Sequence, residues 1–498
     1  MTIDQSSADP RRSPALRAGV ASRAGTVSCA GTVSCAGATV GTRGSAAPGT
    51  HVRPSSVKPL AALDTGTPCA MRRRSMLLGG AGLAIAGALA ACGPSGGGGA
   101  AAGAAPTTGP APGSAASGAT AVSAVTTAAA APEYHEASAS STALSAGSWS
   151  GAIGDKTMTL SGAHIVDGIE ATIDGGTFES TSADEAVFLV VGGGSLTITN
   201  ARINKSGDAS TDGRHGVDDS YNFYGLNSAV VVVGEGSTAT VRQTTLTTSS
   251  SGSNAVVAIG SATATVTGCA ISTTGESSRG LHATYAGVIN GSDLTIETRG
   301  AHCAAVATDR GSGTVAVDGA NTFTTSGDGS PCIYSTGDIT VSGLTGTANG
   351  AQAVVVEGKN HATVTDSTLV TASQTGGVML YQSMSGDAAD SDAAKEVSTL
   401  VMTGVSLTCT QAVPILYVTN TSSQATLTQC TLQTPGGLAT ADEDRWGKTG
   451  SNGGELALTL DATSSDGAIA AGSTSSITVT TANGGAATGV VSGSVTVS

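Results

Sequence analysis

Aromatic side chains are scarce in this chain, with 2 Trp, 7 Tyr and 4 Phe in 498 residues, and charged residues make up only 12%. Long helices draw on Lys, Glu and Leu, and a chain lean in these is not mainly helical. Basic charge is short too: 22 Lys and Arg stand against 36 Asp and Glu, a net charge of −14. That balance argues against nucleic acid as a partner, because phosphate binding needs a basic face. Stacked immunoglobulin-like sandwiches usually bury a Trp in each domain of about 100 residues. Here only Trp149 and Trp446 exist.

What is plentiful is glycine, 71 residues of it, and its use differs along the chain. Residues 1–70 have no hydrophobic periodicity and carry a tandem Ala-Gly-Thr-Val-Ser-Cys at 24–35. They read as disordered, or as an extension upstream of the true start. Residues 71–91 have the order of an export signal: Arg72 to Arg74, then an apolar run over 76–88 too short to span a bilayer comfortably. The run ends at Leu89-Ala90-Ala91-Cys92-Gly93, which resembles a bacterial lipobox. The resemblance implies cleavage before Cys92, lipid on its sulfur, and a protein held outside the cell by that lipid alone. Arg73-Arg74-Ser75-Met76-Leu77 also resembles a twin-arginine export motif, so the route stays open. Without residues 1–91 the chain keeps 12 basic and 33 acidic residues, a net −21. Residues 92–133 are nearly all Gly, Ala, Ser, Thr and Pro after the cysteine, the composition of a flexible tether.

Residues 134–498 form the remaining domain, and most of it repeats every 20–26 residues. Clear copies begin at Asn227 (NSAVVVVGEGSTATVRQTTLTTSSSG), Ser253, Ser278, Ala301, Ser330 and Ala351. Each has a short Ala/Val/Ile run, a turn, an alternating Thr/Val strand, and a third strand ending in Leu or Ile plus Thr. A period this short is the first thing to explain. Three short β-branched strands per repeat describe one coil of a parallel β-helix. A coil cannot bury its inner face alone, but stacking at the ~4.8 Å strand spacing pairs the backbone and lines the axis with small apolar residues. The expected fold is all-β, a single-stranded right-handed parallel β-helix. The tail from about 437 reads as less regular, with strands at Glu455–Leu460 and Ser475–Thr481 as a last coil or cap.

Residues 145–498 resemble the bacterial right-handed parallel β-helix proteins, an architecture shared by pectate lyases, related polysaccharide-acting enzymes and many surface adhesins. The resemblance rests on the repeat pattern and implies the fold more than an activity. Lyases of this fold use Ca²⁺ with a basic residue, and glycosidases of the fold use carboxylate pairs.

Aligning the copies on the small residue that opens the first strand places Ala229, Ala255, Gly280, Cys303, Cys332 and Ala353 in one column. Cys303 and Cys332 then become axial neighbours, within reach of a disulfide in an oxidising compartment. The other reading is two buried thiols. Side chains alternate along a strand, so the outer face of this column gathers Arg279, His282, His302 and Tyr334, with Tyr285, Asp309, Asp338, Glu357 and Lys359 just beyond. Tyr381 and Gln382 follow in the next copy. Tyr rings stack on sugars, and Arg, His and Asp bind hydroxyls or uronate carboxylates. The expected partner is therefore a polysaccharide or glycan. If the chain is catalytic, Arg279 or His282 would be the base and Asp309, Asp338 and Glu357 the acids or metal ligands. A structural stalk, its polar face merely solvated, is the third reading.

An insertion interrupts the repeat before Asn227: Asp208, Asp212, Arg214, His215, Asp218, Asp219, Tyr221 and Tyr224 lie in it. It is expected to project as a loop beside the ligand groove and to add Arg214, His215, Tyr221 and Tyr224 to the site. Its four Asp could hold Ca²⁺ through oxygen, though their spacing does not fit an EF-hand, and a solvated acidic loop is the alternative.

Overall fold

A computed structural model describes residues 132–213, 216–383 and 397–498. The export signal at 71–91, Cys92 and residues 92–131 of the tether lie outside the described residues.

The chain is a parallel β-helix. Its three long sheets have 14, 13 and 10 strands, and each strand sits beside its equivalent from the preceding and following coils. The second sheet contributes thirteen strands, one per coil. The start departs from this plan. Gly147–Ile153 and Lys156–Asp167 form an antiparallel hairpin at the edge of the first sheet.

One coil shows why the sequence folds so. Val256–Ile259, Thr263–Thr267 and Ala270–Thr273 are its three strands. In the second of these Ala264 and Val266 are buried while the three threonines are half-buried on the outside. Across coils the inward residues stack, as in Leu246, Ile271, Ile296 and Phe323. That axial column is the core, and its residues are nearly all without solvent exposure.

The corners explain the glycine. Between the second and third sheets the chain turns through a left-handed residue: Asn200, Gln243, Gly268, Asp293, Gly319, Gly343 and Asp366 in successive coils. Gly, Asn and Asp tolerate that conformation best. At another corner Gly275, Gly300 and Gly327 stack so closely that an added Cβ would lie within about 2 Å of the carbonyl oxygen one coil below.

Three sequence expectations change here. The tail is more regular than anticipated: Ala439–Ala441, Glu455–Asp461, Ile469–Ala471 and Ser476–Ala482 continue the first and second sheets. Cys303 is two residues out of the assigned column, because Gly280 pairs through Ala305, not Cys303. It occupies instead a serine corner with Ser253, Ser278 and Ser330, where the N–H groups of Ser253, Ser278 and Cys303 donate to the side-chain oxygen or sulfur of the corner residue in the next coil. Cys303 and Cys332 are therefore not axial neighbours, and both are free, buried thiols. Burial pushes the Cys303 thiol up to about 11 and the Cys332 thiol to about 12. Finally, the later part of the insertion before Asn227 packs down instead of projecting: after a short antiparallel pair, Asp212–Gly213 with Gly216–Val217, it forms a short helix, Ser220–Tyr224, whose Tyr221 and Tyr224 are buried.

Candidate functional site

Two columns of side chains point outward from the first sheet. One runs Leu189, Val231, Val257, His282, Ala307, Tyr334, Val355, Met379 and Tyr417. The other includes Val233, Ile259, Thr284, Glu357, Tyr381 and Thr419. The two halves of this face have different fates.

The first half is covered. Leu189, Val231, Val233, Val257 and Ile259 join Ile153, Leu160 and Tyr224 in a second apolar core outside the barrel, under the hairpin and the short helix. Phe223, Leu226, Trp149 and Tyr285 pack at its margin. His282 lies at the end of this covered stretch with no solvent exposure. The polar group nearest its ring is the Asn222 backbone, and neither ring nitrogen makes a well-aligned hydrogen bond. Burial holds its pKa well below 6.5, and the Arg279 charge lowers it further, against a weak opposing pull from the Asn222 backbone. Arg279 is itself buried, with Nη2 3.4 Å from Asp309 Oδ2. A base so enclosed cannot meet a polymer chain in this arrangement, so the lyase roles expected of Arg279 and His282 are not supported.

The second half is polar and aromatic. Glu357 is only 3% exposed. Its Oε2 accepts the hydroxyl of Tyr381 at 2.8 Å and that of Tyr334, and its Oε1 accepts the Ser383 N–H at 3.1 Å. Burial and the Glu357 charge together hold the tyrosine hydroxyls protonated, with pKa values well above 10. Trp446 packs against Tyr381 with ring centres 5.3 Å apart. Tyr417 donates its hydroxyl to Asp444 Oδ2 at 3.0 Å. Asn452 fixes this loop by donating to the carbonyls of Asp444 and Trp446, at 2.6 Å for Asp444 and at 2.5 Å for Trp446. The result is a patch of aromatic rings edged by carboxylates across consecutive coils.

The expected site residues thus divide. Arg279, Asp309, Tyr334, Glu357, Tyr381 and Gln382 lie along one face. Tyr221, Tyr224 and Tyr285 belong to the cover: the Tyr221 hydroxyl bonds Asp184 at 2.5 Å, and Tyr224 and Tyr285 stack together. His302 sits exposed at a corner, in a left-handed conformation. Asp338 is exposed on the second sheet, between Thr314 and His361, because it opens the strand after the turn. Lys359 lies in the turn after Glu357. Arg214 and His215 lie outside the described residues. Of the insertion's carboxylates, Asp208 accepts the Ser251 N–H, Asp218 accepts the Ser220 N–H, and Asp219 stands at the helix start without a side-chain cap. Nothing is described of the Asp212 side chain. Among the described residues no group of three His, Cys, Asp or Glu could hold a metal ion.

Trp446 and Asp444 were not anticipated as site residues. The usable signal was spacing: about 30 residues separate the first-sheet strands at Ala439 and Ile469, against about 25 in a regular coil, so a loop was free to fold back. A separate shallow cleft of about 290 Å³ lies on the second sheet, lined by Thr265, Asn290, Ser292, Asp318 and Thr340, and it contains none of the expected residues. No protein-family model, no curated protein and no solved structure matches the chain.

Proposed function

We propose that this is an exported, lipid-anchored surface protein whose β-helix binds a glycan, as an adhesin or a polysaccharide-binding protein. The observation that carries the reading is the half-buried patch of Tyr334, Tyr417, Asp444 and Trp446 on adjoining coils, set over the buried Glu357 and Tyr381 that hold it in place. Aromatic faces beside carboxylates suit sugar rings and their hydroxyl donors. The patch favours neutral sugars over uronates, because the Glu357 and Asp444 carboxylates outnumber the Arg445 guanidinium, which lies 4.5 Å from the Trp446 ring centre, and Arg279 already faces Asp309. The lipobox-like Cys92 and the tether after it support the anchoring half of the reading.

A glycan array probed with the chain from residue 93 onward tests the binding. Trp446→Ala and Tyr417→Ala should each weaken the bound glycan more than tenfold, while Asp338→Asn and His361→Ala leave it unchanged. Absence of binding to any glycan, or indifference to the two aromatic substitutions, refutes the site. For the anchor, Cys92→Ala should move the protein out of the membrane fraction and abolish labelling by a fatty-acid analogue.

A further inference from the structure

The end of the third-sheet strand is a threonine position. Thr273, Thr298 and Thr325 each donate their hydroxyl to the carbonyl five residues on. In the coil that precedes the insertion the same column, Ser180 to Thr248, holds Lys205. Lys205 is 1% exposed, and its Nζ donates to the carbonyls of Ser182 at 2.8 Å and Gly207 at 2.7 Å. Among the described residues no carboxylate closes an ion pair on it.

The Gly207 carbonyl has a second donor. Asn227, fully buried, gives its Nδ2 to the same oxygen at 2.7 Å and to the Ser251 carbonyl at 3.2 Å. The Lys205 amine and the Asn227 amide are thus neighbours on one shared acceptor. The Asn227 Oδ1 accepts the Asp184 N–H at 2.9 Å, which polarises the amide carbonyl toward attack. Glu185, the next residue, has its Oε2 held by the Ser180 hydroxyl at 2.6 Å.

We propose that Lys205 and Asn227 join spontaneously through a side-chain amide bond, with Glu185 as the proton carrier. The Nζ–Cγ bond forms and the Cγ–Nδ2 bond breaks. A proton leaves Nζ for the carboxylate and passes to Nδ2, which departs as ammonia. Nothing is oxidised or reduced, and no co-reactant is needed. The nucleophile is prepared by its surroundings. Burial lowers the Lys205 pKa to about 8, against the opposing charges of Glu185, Asp184 and Asp208, so a free amine exists near neutral pH. Fixing both groups on one carbonyl removes most of the entropic barrier to their encounter. The bond would staple the two ends of the insertion that covers the first sheet.

Peptide mapping of the full chain tests this. A protease cutting at the acidic residues between 208 and 219 should release a branched pair of peptides, joined at Lys205 and Asn227 and lighter than their sum by one ammonia. Glu185→Gln should give the separate linear peptides with an unchanged circular dichroism spectrum, and Lys205→Met should abolish the branch. Unlinked wild-type peptides after incubation well above pH 8 overturn the proposal. So does a lone Asn227 peptide lighter by ammonia, which would be closure on its own backbone, or a branch through Asp208 that has lost water.

Discussion

Tyr285 lies flat against Tyr224, ring centres 5.5 Å apart and planes 15° from parallel, with their hydroxyls hydrogen-bonded at 2.9 Å. One ring comes from a coil turn and the other from the short helix over the first sheet. Two further contacts close the same seam. The Thr284 hydroxyl donates to the Phe223 carbonyl at 2.9 Å, and the Arg310 guanidinium sits 4.4 Å from the Phe223 ring centre. The insertion is therefore latched to the coils beneath it.

Removing that latch should loosen the cover and leave the solenoid standing. Tyr224→Ala deletes a buried aromatic side chain, a change that costs about 3–5 kcal/mol where the site cannot collapse. Repeat architectures draw their stability from neighbouring coils, so the loss stays local. Hydrogen exchange should rise at residues 218–226 and in the strand Val256–Ile259, with the coils after 400 unchanged. Tyr285→Phe removes only the hydroxyl, with its bonds to Tyr224 and Arg310, and should cost about 1 kcal/mol. Equal acceleration along the whole chain would show that the helix is not a separable cover.

The tyrosines around Glu357 set an alkaline limit on stability. In an unfolded chain a tyrosine ionises near pH 10, about its ordinary value. In the folded chain burial first, then the Glu357 charge, keeps Tyr334 and Tyr381 protonated well above that. Their contribution is full below pH ~10 and falls as pH rises beyond it, by up to about 1.4 kcal/mol per pH unit for each group. Denaturant midpoints should therefore fall above pH ~10. Glu357→Gln removes the charge and should let both hydroxyls ionise at lower pH, which absorbance titration would detect. An unchanged titration would separate the pair from the carboxylate.

Much of the fold was legible because its signals are local. The alternation in Thr263-Ala264-Thr265-Val266-Thr267 already says which residues face the axis, and the structure keeps that alternation. Register in the copy at Ala301 was not legible, since Ala304, Ala305 and Ala307 offer small residues at several offsets. The cover was missed although its mark was present: Val231 and Val257 are apolar on a face that should meet water. Outward valines on successive coils imply something packed over them. The Tyr381–Trp446 contact spans 65 residues of sequence with no local pattern to announce it.

The serine corner predicts that Cys303 is replaceable. Its sulfur accepts the Ser278 N–H at 3.0 Å and contacts the carbonyls of Gly275 and Ala301, both at 3.1 Å, as the Ser278 and Ser330 oxygens do in their own coils. Cys303→Ser should change stability by no more than about 1 kcal/mol. Cys303→Val keeps the bulk but leaves the Ser278 N–H without its acceptor, and should cost about 1–3 kcal/mol. Thermal melts of the two variants decide it. A disulfide between Cys303 and Cys332 would reverse the outcome, since Cys303→Ser would then destabilise strongly and thiol counts would rise on reduction.

His282 should make the cover open in acid. An unfolded histidine takes a proton near pH 6.5. Burial, then the Arg279 charge, keeps His282 neutral to well below that in the folded chain. Below pH ~6.5 the open form therefore binds the extra proton, and the closed form loses up to about 1.4 kcal/mol per pH unit until His282 itself titrates. His164, whose pKa is also lowered by burial, adds to the slope near the hairpin. The depressed carboxyl groups of Asp184 and Asp218 act only in more acidic solution, near and below pH 4. Protection factors at residues 218–226, corrected for the intrinsic pH dependence of amide exchange, should thus fall between pH 6.5 and 4.5. His282→Leu suits the apolar column of Val257 and Ala307 and removes two buried nitrogens that make no well-aligned hydrogen bond. It should flatten that pH dependence and slow exchange at every pH in the window. If the variant keeps the wild-type acid response, the proton that opens the cover binds elsewhere.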